Sequence, residues 1–239
     1  MLIPWKVDVY MERYGLVNYG LLALLLIVYL ACPPGSEPWM EWAGIEMQTD
    51  WQGRPLSFEL TTEEHSLLVL SVSATLLHAG FLHLLGNCLF LWVFGNSVNC
   101  KIGHLPYVGL YLLCAMAGSM AHYGFDGGPA VGASGAIYGI MGAFLILYPR
   151  NDIYALFWMP FTVLLRPVRF SSIWAIVLWV GWDAAWMISG AETNVALWGH
   201  IGGFLAGFVV MMAAVLAGWV RPTSDEQFLP ELVGLKERT

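Results

Sequence analysis

The chain has 239 residues, of which 58% are hydrophobic and only 11% charged, and its net charge at neutral pH is −7. A soluble domain of this length would carry about a quarter charged residues, so the composition excludes one and indicates a membrane-embedded protein. The four cysteines, Cys32, Cys88, Cys100 and Cys114, fall on different segments without metal-ligand spacing, which suggests neither a disulfide framework nor zinc.

Taken in order, long apolar runs cover 16–31, 66–100, 105–121, 131–148, 172–182 extending to 190, and 195–220. A spanning helix needs roughly 20 residues, with about 17 as the lower limit. The expectation is an all-α membrane protein, a bundle of six transmembrane helices occupying residues 1–220. The first run follows Lys6, Asp8, Glu12 and Arg13, a mixed-charge lead-in unlike that of a signal peptide, so it reads as a retained first helix. Residues 32–65 form the longest connection, rich in Trp, Glu, Pro and Gly, and are expected to lie along the outer interface, where Trp is favoured. "YALFWMPFTVLL" at 154–165 reads as a loop at the inner interface, and residues 221–239 as a short polar cytoplasmic tail.

Charge orients the bundle. With the N-terminus inside, the inner segments hold Lys6, Arg13, Lys101, Arg150, Arg166, Arg169, Arg221, Lys236 and Arg238, leaving only Arg54 outside. That asymmetry matches the positive-inside rule and places both termini in the cytoplasm. The negative charge comes largely from the first outer loop and gives no sign of a nucleic-acid partner.

Small residues recur every four positions on the fourth and sixth runs: Gly135, Gly139 and Ala143 on one, Gly199, Gly203 and Gly207 on the other. Such rows let two helix backbones approach closely, so these helices are expected to pack together. Ser134 opens the fourth run, about five residues past the Asp126–Pro129 turn, or roughly 8 Å below the outer boundary at 1.5 Å per residue. His200 opens the sixth run, and the second supplies His78, His83 and Asn87 in "LLHAGFLHLLGN".

Each residue has a bland explanation. A lone intramembrane serine is more often packing material than a nucleophile, and His83 with Asn87, at i,i+4 spacing, share a face suited to bonding a neighbouring helix. Yet five polar side chains from three helices fall at one depth, and polar groups in a membrane mark cavities or partners. Together they can perform acyl transfer. Ser134 is the hydroxyl, His200 the base, and His83 and Asn87 are donors for an oxyanion, as are the free N–H groups at a helix N-terminus. A zinc site on His78, His83 and His200 is the rival chemistry; it leaves Ser134 and Asn87 unexplained.

These residues resemble the rhomboid family of intramembrane serine proteases. Gly132-Ala133-Ser134-Gly135, with Tyr138 one turn later, is similar to the family's Gly-x-Ser-Gly motif. His200-Ile201-Gly202-Gly203 followed by Gly207 resembles its sixth-helix motif, and His78, His83 and Asn87 its second-helix pattern. The resemblance implies Ser134 as nucleophile and His200 as general base, a dyad without an acidic third member. It implies an oxyanion hole of His83, Asn87 and the Ser134 N–H, with His78 supporting that pocket and Tyr138 packing against His200. It implies cleavage of single-pass membrane proteins near the outer face, in the lipid bilayer, without cofactor or metal, and the compact form suggests a bacterial inner membrane. A catalytically silent relative that binds transmembrane helices is the alternative. One departure is that Trp51 and Arg54 stand apart, where many members have an adjacent Trp-Arg pair. Another is Asp183, a carboxylate inside the fifth helix, expected to be protonated, hydrogen-bonded or facing a wet cavity, in a structural or gating role.

Overall fold

The computed structural model describes the backbone of residues 2–43, 45–49, 55–60, 67–127, 130–158, 165–190 and 195–237. The Trp51–Arg54 departure and Pro160 lie outside them. The chain is mostly helical. Strand β1 (Leu2–Val7) precedes α1 (Leu16–Ala31); α2 (Glu37–Ala43), β2 (Ile45–Thr49), β3 (Pro55–Leu60) and α3 (Leu67–Leu76) follow. Next come α4 (Phe81–Phe90), a π-helical turn at Leu91–Gly95 and α5 (Asn96–Ile102), which together form one continuous helix. The remaining helices are α6 (His104–Phe125), α7 (Ser134–Leu147), α8 (Ser172–Ser189), α9 (Leu197–Leu216) and α10 (Leu229–Leu232), with β4 (Asp152–Trp158) and β5 (Leu165–Ser171) between α7 and α8.

Four helical stretches are long and apolar enough to cross a membrane among the described residues: Phe81–Ile102, α6, α8 and α9. The other two expected spans are shorter, α1 with 16 residues and α7 with 14. Outward faces are apolar too. Leu26, Ile27 and Leu30 on α1 and Trp174, Trp182 and Ile188 on α8 are all exposed, which suits a lipid surround and not water.

The run 66–100 is not one helix, which corrects the reading of the second span. It breaks at residues 77–80, where α3 has ended and Gly80 adopts an extended backbone before α4 begins. His78 therefore sits in the connection ahead of the spanning helix and not on it. The strands are a second difference. Residues 154–165 were expected as an interfacial loop, but β4 and β5 pair antiparallel and β1 adds to β4 in a three-stranded sheet. Pro4 lacks an N–H, and the β1–β4 register shifts between Pro4 and Lys6.

At the centre, α7 packs on α9 and α6 through glycines. A Cβ on Gly203 would overlap the carbonyl oxygen of Gly135, and one on Gly207 that of Gly139, so the two backbones touch without side chains between them. A Cβ on Gly118 of α6 would lie 2.8 Å from the Gly199 oxygen. This is the close approach that rows of small residues permit in an apolar solvent, where packing and hydrogen bonds supply the attraction.

A buried polar network ties α1 to the helix it crosses. Asn18 donates to the Leu91 carbonyl at 3.0 Å and to Asn96 Oδ1 at 2.9 Å, and accepts from the Tyr107 hydroxyl at 2.6 Å. Asn96 in turn donates to the Trp92 carbonyl at 3.0 Å. These side-chain donors reach carbonyls within the π-helical turn, where the regular i→i−4 ladder is interrupted.

The polar tail docks on the bundle. Phe228 is fully buried, Glu226 pairs with Lys101, Gln227 accepts from Arg150 at 2.9 Å, and Lys236 donates to the Val215 carbonyl at 2.6 Å.

Candidate active site

Ser134 is the first residue of α7 and is half-buried. No side chain among the described residues caps that helix end, which leaves its first N–H groups open to an acceptor. The preceding Gly132 has φ of 126°, a conformation side chains rarely adopt, and its N–H donates to the Ala74 carbonyl at 2.9 Å. A Cβ at Gly132 would lie 2.8 Å from His83 Nε2 and 3.5 Å from Asn87 Nδ2. The glycine thus lets two side-chain donors of α4 come up beside the segment that leads into Ser134.

Asn87 Nδ2 is buried with no hydrogen-bond partner among the described residues. An unmade bond on a buried amide costs about 1–3 kcal/mol, which is tolerable where a ligand or water completes it. His78 is almost fully buried, and neither of its ring nitrogens has a partner among the described residues. Its ring meets that of His83 edge-on, with centroids 5.2 Å apart, although it lies ahead of the helix.

His200 lies on the first turn of α9 and is buried. The Tyr138 ring stacks on it with centroids 4.1 Å apart and planes 11° from parallel. Asp183 of α8 completes the group: His200 Nδ1 is 2.6 Å from Asp183 Oδ2, and the Tyr138 hydroxyl donates to the same oxygen at 2.6 Å. The intramembrane carboxylate is therefore hydrogen-bonded.

Ser134, His83, Asn87, Tyr138 and His200 all line one open cavity of about 1080 Å³. This volume is at the upper end of the range usual for ligand pockets, about 300–1,000 Å³. His78, His83 and His200 do not converge as a metal-ligand set among the described residues.

Two features escaped the sequence reading. His122 on α6 and Asp126 just past its end also line the cavity, with Nδ1 and Oδ2 3.0 Å apart; their i,i+4 spacing in "HYGFD" was the available signal. The other is the Asp183–His200 contact, which no sequence spacing encodes because the two residues lie on different helices.

The family model described as "Rhomboid domain" matches residues 67–217. Among curated relatives, rhomboid protease GluP of Bacillus subtilis is 33% identical over 137 residues, 57% of this chain and 24% of that protein. Rhomboid protein 1, mitochondrial, of Saccharomyces cerevisiae is 32% identical over 155 residues, 59% of this chain and 38% of that protein. Rhomboid protease GlpG of Salmonella typhi is 22% identical over 207 residues, 86% of this chain and 65% of that protein. The chain thus spans between a quarter and two-thirds of the length of these relatives.

Proposed function

The chain belongs to the rhomboid family, and we propose that it is an intramembrane serine endopeptidase that cuts transmembrane segments of single-pass membrane proteins. The observation that carries this reading is the opening of Ser134 and His200 onto one cavity that also receives His83 and Asn87. A hydroxyl, a base and oxyanion donors are the parts that acyl transfer requires.

In the proposed reaction Ser134 Oγ attacks the scissile carbonyl carbon while His200 takes its proton. The tetrahedral oxyanion is held by His83, Asn87 and the Ser134 N–H at the open end of α7. Collapse of that intermediate breaks the C–N bond, and the proton on His200 goes to the leaving amine. Water then attacks the acyl-enzyme with His200 again as base, releasing the acid and restoring Ser134. His78 supports His83 from behind, and Tyr138 holds the imidazole plane.

The length of α7 agrees with the hydrolytic reading. Fourteen residues extend about 21 Å at 1.5 Å per residue, less than the ~30 Å hydrocarbon core. A helix that reaches the inner face therefore begins below the outer one, and the wide cavity supplies the water that hydrolysis consumes. In this reading six helices cross the bilayer, both termini are cytoplasmic, and the protein resides in a bacterial inner membrane.

The test is cleavage of a fluorogenic transmembrane peptide in liposomes by the purified protein. Ser134→Ala and His200→Ala should each abolish turnover with the fold retained, and a fluorophosphonate should label the wild type at Ser134. Cleavage persisting in Ser134→Ala would end this reading. A folded wild type that binds the peptide without cutting it would favour the silent relative instead.

A further inference from the structure

We propose that Asp183 is a positioning residue for His200, acting as the acid behind the base in a Ser134–His200–Asp183 triad. Its catalytic consequence rests on the protease reading above; the placement of the proton on His200 does not.

The geometry is that of an orienting carboxylate. Asp183 Oδ2 lies 2.6 Å from His200 Nδ1, on the ring nitrogen that leaves Nε2 free. Asp183 Oδ2 already accepts from the Tyr138 hydroxyl; in the proposed arrangement it accepts from His200 as well, so that Nδ1 carries the hydrogen and Nε2 is the acceptor, the tautomer that a general base needs. The Tyr138 hydroxyl holds the same oxygen at 2.6 Å while its ring stacks on the imidazole. The carboxylate and the base are thus gripped by one tyrosine, which fixes the ring in both plane and rotation. When Ser134 gives its proton to Nε2, the Nδ1 hydrogen stays where it is and the carboxylate stabilises the imidazolium without taking a proton.

Packing alone does not account for Asp183. Fully buried residues of α8 are confined to its first turns, at Ser172, Ala175 and Ile176, and beyond them the helix is partly buried or exposed and largely apolar. A half-buried carboxylate on such a helix is costly, and an apolar residue would sit there more cheaply unless the charge serves the histidine.

Three measurements test this on the full chain in detergent. The first is the nitrogen-15 spectrum of histidine-labelled wild type, with His200 assigned by its loss in His200→Ala. It should show a protonated Nδ1 and a bare Nε2, and the opposite tautomer overturns the proposal. The second is turnover of the fluorogenic peptide by Asp183→Asn. Its kcat should fall 10²–10⁴-fold, in line with the roughly 10⁴-fold loss on the same exchange in an unrelated serine protease fold, while KM stays within about threefold. The third is the rate of fluorophosphonate labelling, which should fall with kcat because that small probe needs the base but no room for a transmembrane helix. Unchanged kcat, or an effect confined to KM and thermal stability, would overturn the proposal and leave Asp183 a structural tie. If Asp183→Asn fails to fold, the wild-type spectrum decides alone. If Ser134→Ala still cleaves, the protease reading falls while the His200 tautomer still decides this one.

Discussion

Gly132 and Asn87 are where single atoms matter most to the proposed chemistry. A methyl at Gly132 meets His83 Cε1 at 2.7 Å and also forces a side chain into φ of 126°. Gly132→Ala should therefore displace His83 or the lead-in to Ser134, and turnover should drop at least about tenfold for each 1.4 kcal/mol by which the oxyanion contacts weaken. Wild-type turnover in a folded Gly132→Ala would show that His83 and this segment need no such closeness. Asn87→Ala removes a donor that has no other partner among the described residues. It should lower kcat by about 10²–10³, the loss measured for one oxyanion-hole donor elsewhere, with KM little changed. That Ser134, His83, Asn87 and His200 line one cavity was legible because position along a helix follows from counting. The Asp183–His200 contact was not: counting puts a carboxylate in α8 but does not say which way it faces around the helix axis. His78 was misassigned to the spanning helix because "LLHAGFLHLL" stays apolar through a turn that hydropathy cannot see.

At the scale of elements, the contact of α7 with α9 was legible because its cause is local. Glycines four apart on both helices leave nothing but backbone on the facing stripes, and the close approach of Gly135 to Gly203 and of Gly139 to Gly207 follows from that. Gly203→Ala should lower stability by about 1–3 kcal/mol, the usual cost of overpacking a tight contact, and should lower the thermal midpoint in detergent. Gly181→Ala on α8 is the control, since a Cβ there meets nothing within 4 Å among the described residues; its midpoint should hold or rise slightly, alanine being the better helix former. Equal midpoints for the two variants would contradict the packing described for α7 and α9. The three-stranded sheet, by contrast, could not be read from local pattern. It joins Leu2–Val7 to residues some 150 positions later, and the period-2 signal in "LIPWKV" is broken by Pro4.

Across the whole molecule, the structure gathers dispersed positive charge at one end. The Arg13 carbonyl accepts from Cys100 Sγ, next to Lys101; Lys101 meets Glu226, Arg150 meets Gln227, and Lys236 closes on the end of α9. The docked tail thus ties together the end of α5, the α7–β4 connection and the end of α9, with Arg13 beside α5. Juxtamembrane lysines and arginines stay cytoplasmic, so this face is the inner one in the proposed orientation. Asp126, at the end of α6 beside the cavity, then belongs to the outer side. Cysteine substitutions read this out directly. Asp225→Cys, on an exposed tail residue, should react with a membrane-impermeant maleimide only after right-side-out vesicles are opened, and Asp126→Cys should react above the wild-type background while they are intact. The reverse pattern would put the proposed serine near the cytoplasm and turn the proposed substrate face around. Labelling at both positions in sealed vesicles would mean that the basic end does not orient the chain. Only the first pattern lets the cavity draw the water of the proposed hydrolysis from the non-cytoplasmic side.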